Sequence, residues 1–150
     1  MRRTRYIYGN KGFTLLEMII VLFLISLILG IATIFFANAL PSNQFNATVR
    51  NISATIRQAR SLAQIHNKNQ TVTIDLDSRI YDLSGRPPRE IPSGISVKVI
   101  DPMLGEILEG KYRFTLYPSG VMEGGTVVLW SSKKKASIAM DPVVGTIVIK

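Results

Sequence analysis

The chain has 150 residues, of which 47% are hydrophobic and 19% charged, a size that suits one modest domain plus an unusually apolar segment. The lack of cysteine excludes a disulfide framework, a thiolate metal site and a cysteine nucleophile. The formal net charge is +8, but Arg2, Arg3, Arg5 and Lys11 precede Phe13 and leave only +4 on the remainder, which is too weak a signal to indicate nucleic-acid binding.

A long apolar segment, residues 13–40, follows the short basic N-terminus. It reads FTLLEMIIVLFLISLILGIATIFFANAL, and Glu17 is the only charged side chain between Phe13 and Val49. At about 1.5 Å per residue a helix of this length extends for roughly 42 Å, more than the ~30 Å hydrocarbon core of a bilayer. We therefore predict a transmembrane helix rather than the shorter apolar region of a secretory signal. Because the basic residues precede the span, the N-terminus is expected in the cytoplasm.

Glu17 is the exception within this apolar segment. A carboxylate one turn inside a span costs about 2.5 to 3.5 kcal/mol on insertion scales unless it has a partner. One interpretation places Glu17 at the membrane interface, where its side chain reaches water or is protonated and has no further role. The other interpretation gives the carboxylate a cationic partner inside the membrane, and the neighbouring residues favour it.

The segment KGFTLLE, residues 11–17, links the basic N-terminus to the apolar run. It resembles the type III signal of type IV prepilins and pseudopilins. The resemblance implies that a prepilin peptidase cuts between Gly12 and Phe13, removes residues 1–12 as a leader, and methylates the new amine of Phe13. Gly12, which lacks a Cβ, would let the peptidase approach the scissile bond closely. Glu17 matches the family's glutamate at the fifth mature position and is expected to neutralise the Phe13 amine of a filament neighbour.

A second helical pattern covers residues 41–67 and carries one apolar face. Its members recur at alternating spacings of four and three residues: Phe45, Val49, Ile52, Ile56, Ala59 and Ala63. We expect this face to pack against a globular head. Pro41, followed by Ser42 and Asn43, is expected to kink or loosen the helix where it leaves the membrane.

From residue 68 to residue 150 the hydrophobic period becomes two. Val72, Ile74 and Leu76 alternate with polar residues, and a turn leads into residues 80–83, which predicts a β-hairpin. Residues 84–92 are predicted to form a loop because they contain three prolines. Further strands are predicted at residues 95–99, 112–117, 126–130, 137–140 and 146–149. The expected fold class is therefore α+β, with a long helix packed on six to eight antiparallel strands in two sheets, as in a β-sandwich.

Three stretches resemble particular families of pilin-like proteins. They are RQARSLA at residues 57–63, FTLYPSG at residues 114–120 and DPVVGTIVI at residues 141–149. They are similar to the minor pseudopilin H family of type II secretion and to its relative FimT of type IV pili. The resemblance implies a type IV pilin-like fold, with residues 13–40 as transmembrane and assembly segment, residues 41–67 as an amphipathic periplasmic helix, and residues 68–150 as a β-rich periplasmic head.

The same resemblance implies a structural subunit near the tip of a periplasmic pseudopilus that drives protein export. The implied partners are a prepilin peptidase, the major and minor pseudopilins, the inner-membrane assembly platform and membrane lipid, and the implied location is the bacterial inner membrane. A FimT-like minor pilin, with a role in pilus assembly and DNA uptake, is the alternative, and nucleic acid is a partner only there. An unrelated single-span protein with an external ligand-binding domain is a third interpretation and predicts an uncleaved leader.

No set of residues indicates catalysis, a metal site or a cofactor, and the chain is expected not to be an enzyme. His66 is the sole histidine, and no glycine-rich phosphate loop follows a strand. His66 is expected to interact with the dipole at a helix C-terminus. Asp75, Asp77 and Asp82 are expected to serve the hairpin turn and solubility, and Asp101 and Asp141 receive no metal role.

The run Lys133, Lys134 and Lys135 follows Trp130 closely. In a DNA-binding protein such a group would contact phosphates while the aromatic ring stacks on a base. Three lysines in a tight turn repel one another unless they are exposed, and exposed lysines would protect an edge strand from pairing. The solvated turn is the favoured interpretation, and DNA contact is the alternative.

Overall fold

The computed structural model describes residues 12–142 and 145–150, with the backbone alone for residues 34–40. The basic leader residues Arg2, Arg3, Arg5 and Lys11 lie outside the described residues. The chain divides into one compact unit that ends at Ala39 and a second unit from Leu40 to Lys150.

A single helix, α1, extends from Leu15 to His66 and includes Pro41. Helical backbone continues on both sides of this proline, where the sequence predicts a kink or a loosening. A proline removes one backbone donor and crowds the carbonyl four residues earlier, but it leaves the other hydrogen bonds of the helix in place. The buried apolar face that begins at Phe45, four residues after Pro41, stabilises the helix that follows the proline.

The predicted apolar face in the second half of α1 is confirmed. All six members are buried, and four of them, Ile52, Ile56, Ala59 and Ala63, are fully inaccessible to solvent. Hydroxyl groups buried in the same stretch donate to the carbonyl oxygen four residues earlier, as Ser53 Oγ does to Val49 at 2.9 Å. Because these hydroxyls have partners within the helix, their burial leaves no polar atom unpaired.

Within the described part of the second unit, nine antiparallel strands form two sheets. The first sheet has the order β3-β2-β1-β6. Its strands are β1 Gln70–Asp75, β2 Ile80–Leu83, β3 Arg89–Glu90 and β6 Lys111–Leu116. The predicted hairpin is confirmed, with Ile74 opposite Tyr81, and β1 pairs on its other side with β6.

The second sheet has the order β5-β4-β7-β8-β9. Its strands are β4 Ser96–Asp101, β5 Gly105–Ile107, β7 Gly125–Trp130, β8 Lys135–Met140 and β9 Ile147–Ile149. The strand β7 lies near the centre, and three consecutive residues of it, Val127 to Leu129, are buried.

One hydrophobic core unites these elements. It contains Ile56 of α1, Phe114 and Ile74 of the first sheet, and Val127 and Ile138 of the second sheet, each of them inaccessible to solvent. Since helix and sheets share one core, the predicted α+β class with a helix packed on two antiparallel sheets is confirmed.

The strand count exceeds the predicted six to eight because two short strands were missed. The strand β3 lies within residues 84–92, which were predicted to be a loop. Pro87 and Pro88 cannot donate to a sheet, so pairing begins only after them, and just Arg89 and Glu90 pair with β2. The strand β5 begins at Gly105, whose φ of 78° follows a tight turn, and it is also an edge strand of three residues.

Of the aspartates assigned to the first hairpin, Asp75 closes the turn and Asp77 joins the turn to the segment before β6. Oδ1 of Asp75 accepts hydrogen bonds from the N–H groups of Asp77 and Ser78 at 3.1 and 2.9 Å, and Oδ1 of Asp77 accepts one from Gly110 N at 3.0 Å. The hydrogen bond from the Ser78 N–H lowers the pKa of Asp75 below its ordinary value of 3.8. Asp75 is buried and pairs with Lys111 at 3.3 Å, so the expectation that it serves solubility is wrong.

Candidate assembly and membrane-contact sites

Gly12 and Phe13 precede the first turn of α1 and are exposed. The ring of Phe13 is 78% accessible. Among the described residues, no atom lies within 4 Å of the position that a Cβ on Gly12 would take. The described residues therefore place no steric requirement for glycine at position 12.

Thr14 caps the N-terminus of α1, and Glu17 lies three residues after it. Oγ1 of Thr14 accepts a hydrogen bond from the N–H of Glu17 at 3.2 Å, and the Thr14 carbonyl accepts one from Met18 at the same distance. Threonine followed three residues later by glutamate is the sequence of a capping box. The carboxylate also lies in the first turn, near the positive end of the helix dipole. The sequence analysis missed this cap and the favourable place of Glu17 in the first turn, although the Thr14-to-Glu17 spacing signals both.

The large apolar side chains of α1 from Leu15 to Ile31 are exposed. The span Leu15–Thr33 has a mean hydropathy of 2.8 and none of it is buried in the chain, so it is long and apolar enough to cross a membrane. The hydroxyls of Ser26 and Thr33 donate to the carbonyls of Phe23 and Gly30, each at 2.8 Å, and need no partner outside the helix. An apolar surface of this extent requires lipid or another apolar protein surface around it.

The three lysines lie where β7 turns into β8, and they differ in environment. Ser131 and Lys134 close the turn, with Ser131 N donating to the Lys134 carbonyl at 2.7 Å, and Lys135 already belongs to β8 opposite Trp130. Lys134 is half-buried, and its Nζ donates to Oδ1 of Asn46 on α1 at 3.1 Å, whereas Lys133 and Lys135 are exposed. The strands β7 and β8 lie between β4 and β9, but β9 pairs with β8 only from Ile138 to Met140, so Lys135 lies on a part of β8 that extends past β9.

The remaining candidate residues have local structural roles. Oδ1 of Asp101 accepts hydrogen bonds from the N–H groups of Met103 and Leu104 at 2.7 and 2.8 Å, which closes the turn between β4 and β5. The hydroxyl of Tyr112 donates to its other oxygen, which lowers the pKa of Asp101. His66 is the last residue of α1. Within residues 12–142 and 145–150, no group of three or more histidine, aspartate or glutamate side chains is placed to hold a metal ion.

Comparison with known proteins gives a family match over the N-terminus. A family model described as the prokaryotic N-terminal methylation motif matches residues 8–33, a range that contains Gly12, Phe13 and Glu17. A search of curated proteins found no match.

Comparison with solved structures extends the likeness to the head. The chain is similar to the minor pseudopilin EpsH from the type 2 secretion system of Vibrio cholerae, with a TM-score of 0.57 and 12% sequence identity. The superposition covers 71% of this chain and 96% of the EpsH chain. At such low identity the likeness concerns the fold. The chain therefore carries the N-terminal methylation motif of prepilin-type proteins and has a type IV pilin-like fold, as its resemblance to prepilins and pseudopilins predicted.

Proposed function

We propose that this chain is a minor pseudopilin of the type II secretion system, a structural subunit of the periplasmic pseudopilus that drives protein export. The observation that carries the proposal is the order of three features on one helix. A capped, exposed start with the methylation motif leads into an unburied apolar stretch, and the same helix then packs on a head with the fold of EpsH. Anchor, processing site and head are what a filament subunit held in a membrane requires.

The apolar stretch serves two states of the subunit. In the bacterial inner membrane, lipid covers the exposed side chains, with the N-terminus in the cytoplasm and the head in the periplasm. In the filament, the helices of neighbouring pseudopilins replace the lipid. Both states keep the apolar surface out of water, so the inner-membrane assembly platform can move the subunit from one to the other at low cost.

Processing prepares the N-terminus for assembly. A prepilin peptidase hydrolyses the Gly12–Phe13 peptide bond, which leaves a carboxylate on Gly12 and an ammonium on Phe13, and the amine is then methylated. The new cation lies beside the positive end of α1, an unfavourable place for it. Glu17 of an adjacent subunit supplies the opposite charge in a low-dielectric environment, where such a pair sets the axial position of one subunit on the next.

The test is the intact mass and the N-terminal sequence of the chain expressed with and without an active prepilin peptidase. With the peptidase, the chain is expected to begin at Phe13 and to carry one methyl group. Gly12→Val should keep the full leader, because the change obstructs the peptidase and not this chain. Gly30→Val is the matched control, since a Cβ at position 30 also meets nothing within 4 Å, and it should be processed normally.

One result contradicts the proposal. If the chain keeps Met1 while the same peptidase preparation cleaves a known prepilin, the chain is a single-span membrane protein of another kind. A leader that is removed equally well from Gly12→Val would reject the assigned cleavage site alone.

A FimT-like minor pilin with a role in DNA uptake is the second candidate. It is favoured by the exposed Lys133 and Lys135 next to Trp130. In this case the chain binds DNA with an affinity that falls with salt, and replacing the two lysines reduces the salt dependence. Loss of the gene would then abolish DNA uptake and leave protein export intact, whereas the pseudopilin loses export.

A further inference from the structure

An open hollow of about 540 Å³ lies beside the first packed turns of α1. One wall comes from α1, another from the turn before β8, and the third from the end of β9. Its ten lining residues include Asn46, Arg50, Lys133, Lys134, Lys135 and Lys150.

The hollow is strongly cationic. Half of its lining side chains are lysine or arginine, and none of the described residues that line it carries a carboxylate side chain. The hydrogen bond from Lys134 Nζ to Asn46 holds the turn against α1, so the cations are brought together before any ligand arrives. A neighbouring hollow shares the three lysines and adds Trp130, a residue type enriched at membrane–water interfaces.

The position of the hollow along the chain relates it to the bilayer. Asn46 follows Leu40, the last residue of the apolar segment, by six residues. At about 1.5 Å per helical residue this is a path of roughly 9 Å. The polar zone of a bilayer extends about 5 to 8 Å beyond the hydrocarbon core, and its surface potential decays over a Debye length of about 8 to 10 Å. Asn46, to which Lys134 donates, is thus joined to the end of the apolar segment by a path comparable to the Debye length.

We propose that this cationic hollow, defined by Arg50, Lys133, Lys134, Lys135 and Lys150, binds the anionic headgroups of the bilayer in which the apolar segment is inserted. The contact holds this end of the head at the membrane surface until the subunit enters the filament. The proposal rests on the membrane insertion in the proposed function but not on cleavage at Gly12. Lipid is favoured over nucleic acid because a short helical path joins the hollow to the segment inserted in the bilayer, and an anionic bilayer repels a polyanion and supplies its own phosphates at high local concentration.

The test uses the full-length chain in lipid vesicles and its sole tryptophan, Trp130, as the probe. The vesicles are phosphatidylcholine with a headgroup-attached spin-label quencher, and phosphatidylglycerol is added in steps. Quenching of Trp130 is expected to rise with the fraction of phosphatidylglycerol and to disappear at high salt. Lys133→Gln with Lys135→Gln should raise the phosphatidylglycerol fraction needed for half-maximal quenching by roughly fivefold.

The matched control is Arg86→Gln with Arg89→Gln, which removes two exposed cations outside the hollow. It should leave the lipid titration unchanged. Extraction at alkaline pH verifies insertion of every variant, and circular dichroism verifies the fold. Lys134 is not substituted, because its hydrogen bond to Asn46 holds the turn against α1.

Two results overturn the proposal. Equal quenching of Trp130 in neutral and anionic vesicles shows that the lysines do not contact anionic lipid. An equal shift of the phosphatidylglycerol titration in the Arg86→Gln, Arg89→Gln control shows that only the total charge of the head matters. Salt-sensitive binding of duplex DNA that depends on Lys133 and Lys135, without any lipid preference, assigns the hollow to nucleic acid instead. Whether the leader is cleaved is measured separately by mass, so a failure of the proposed function is recognisable on its own.

Discussion

Glu17, at the start of α1, is assigned two roles that have different physical causes. Its backbone N–H is bound by Thr14 Oγ1, and its place in the first turn suits the helix dipole. Both effects act within one chain. The proposed pairing of its carboxylate with the Phe13 amine of a neighbour acts between chains and needs the negative charge.

Two single substitutions separate these purposes. Glu17→Gln keeps a side chain that completes a capping box but removes the charge, and it should abolish co-purification with the major pseudopilin. Thr14→Ala removes the cap, at a cost of about 1 kcal/mol to the helix start, but keeps the charge and should still assemble. Quantitative co-purification from membranes, with both variants shown to be processed, is the measurement. Normal assembly of Glu17→Gln with failure of Thr14→Ala would assign Glu17 to capping alone.

The second half of α1 behaves as an element with one buried face and one exposed face. Its fully buried members occupy the core shared by both sheets, whereas Ile65, near the end of the same helix, is 74% exposed. The apolar character of a residue therefore does not decide its energetic role in this helix. Its position relative to the sheets decides that role.

A matched pair of isoleucines tests this assignment. Ile56→Ala should lower the free energy of unfolding by about 2 to 5 kcal/mol, because it leaves a cavity in the core. Ile65→Ala should change it by no more than about 0.5 kcal/mol. Denaturant unfolding of the full chain in detergent, followed by Trp130 fluorescence, measures both. Similar losses in the two variants would mean that α1 does not pack as described.

At the scale of the whole head, Arg60 links segments that are far apart in sequence. Its guanidinium packs against Gly120, in the turn after β6, and against Gly145, shortly before β9. Both glycines have positive φ angles, of 86° and 65°. A Cβ on Gly145 would lie 2.5 Å from the Gly120 carbonyl oxygen and 2.8 Å from a nitrogen of Arg60, so this junction has no room for a side chain.

This crowding predicts a difference between two glycines. Gly145→Ala combines the cost of a left-handed backbone with a steric clash, and it should destabilise the head by about 3 kcal/mol or more. Gly85→Ala, at a φ of 81° but with open space around the new Cβ, should cost only about 1 to 2 kcal/mol. Thermal or denaturant unfolding compares the two. Equal losses would show that backbone conformation, and not packing at Arg60, sets the requirement for glycine.

Several elements were predictable because a local pattern specified them. The spacing of Phe45 to Ala63 identified the buried face of α1, and the alternation of Val72 and Ile74 identified β1 with its inward face. The apolar run from Phe13 and the Lys11-to-Glu17 motif likewise indicated an anchor and a prepilin-type N-terminus. In each case hydrophobic periodicity or motif spacing is a property of neighbouring residues, which is why sequence alone sufficed.

Other features depend on contacts between distant residues, and only the tertiary structure decided them. The short strands β3 and β5 exist because β2 and β4 offer them an edge, and no local alternation marks them. The ion pair of the buried Asp75 with Lys111 arises where β1 meets β6, and the bond from Lys134 to Asn46 and the cationic hollow arise where α1 meets segments that come much later in the chain. The sequence by itself determined α1, the apolar span and the seven strands other than β3 and β5. The packing of α1 on two sheets determined which charged side chains are brought together, because that depends on register and topology rather than on sequence spacing.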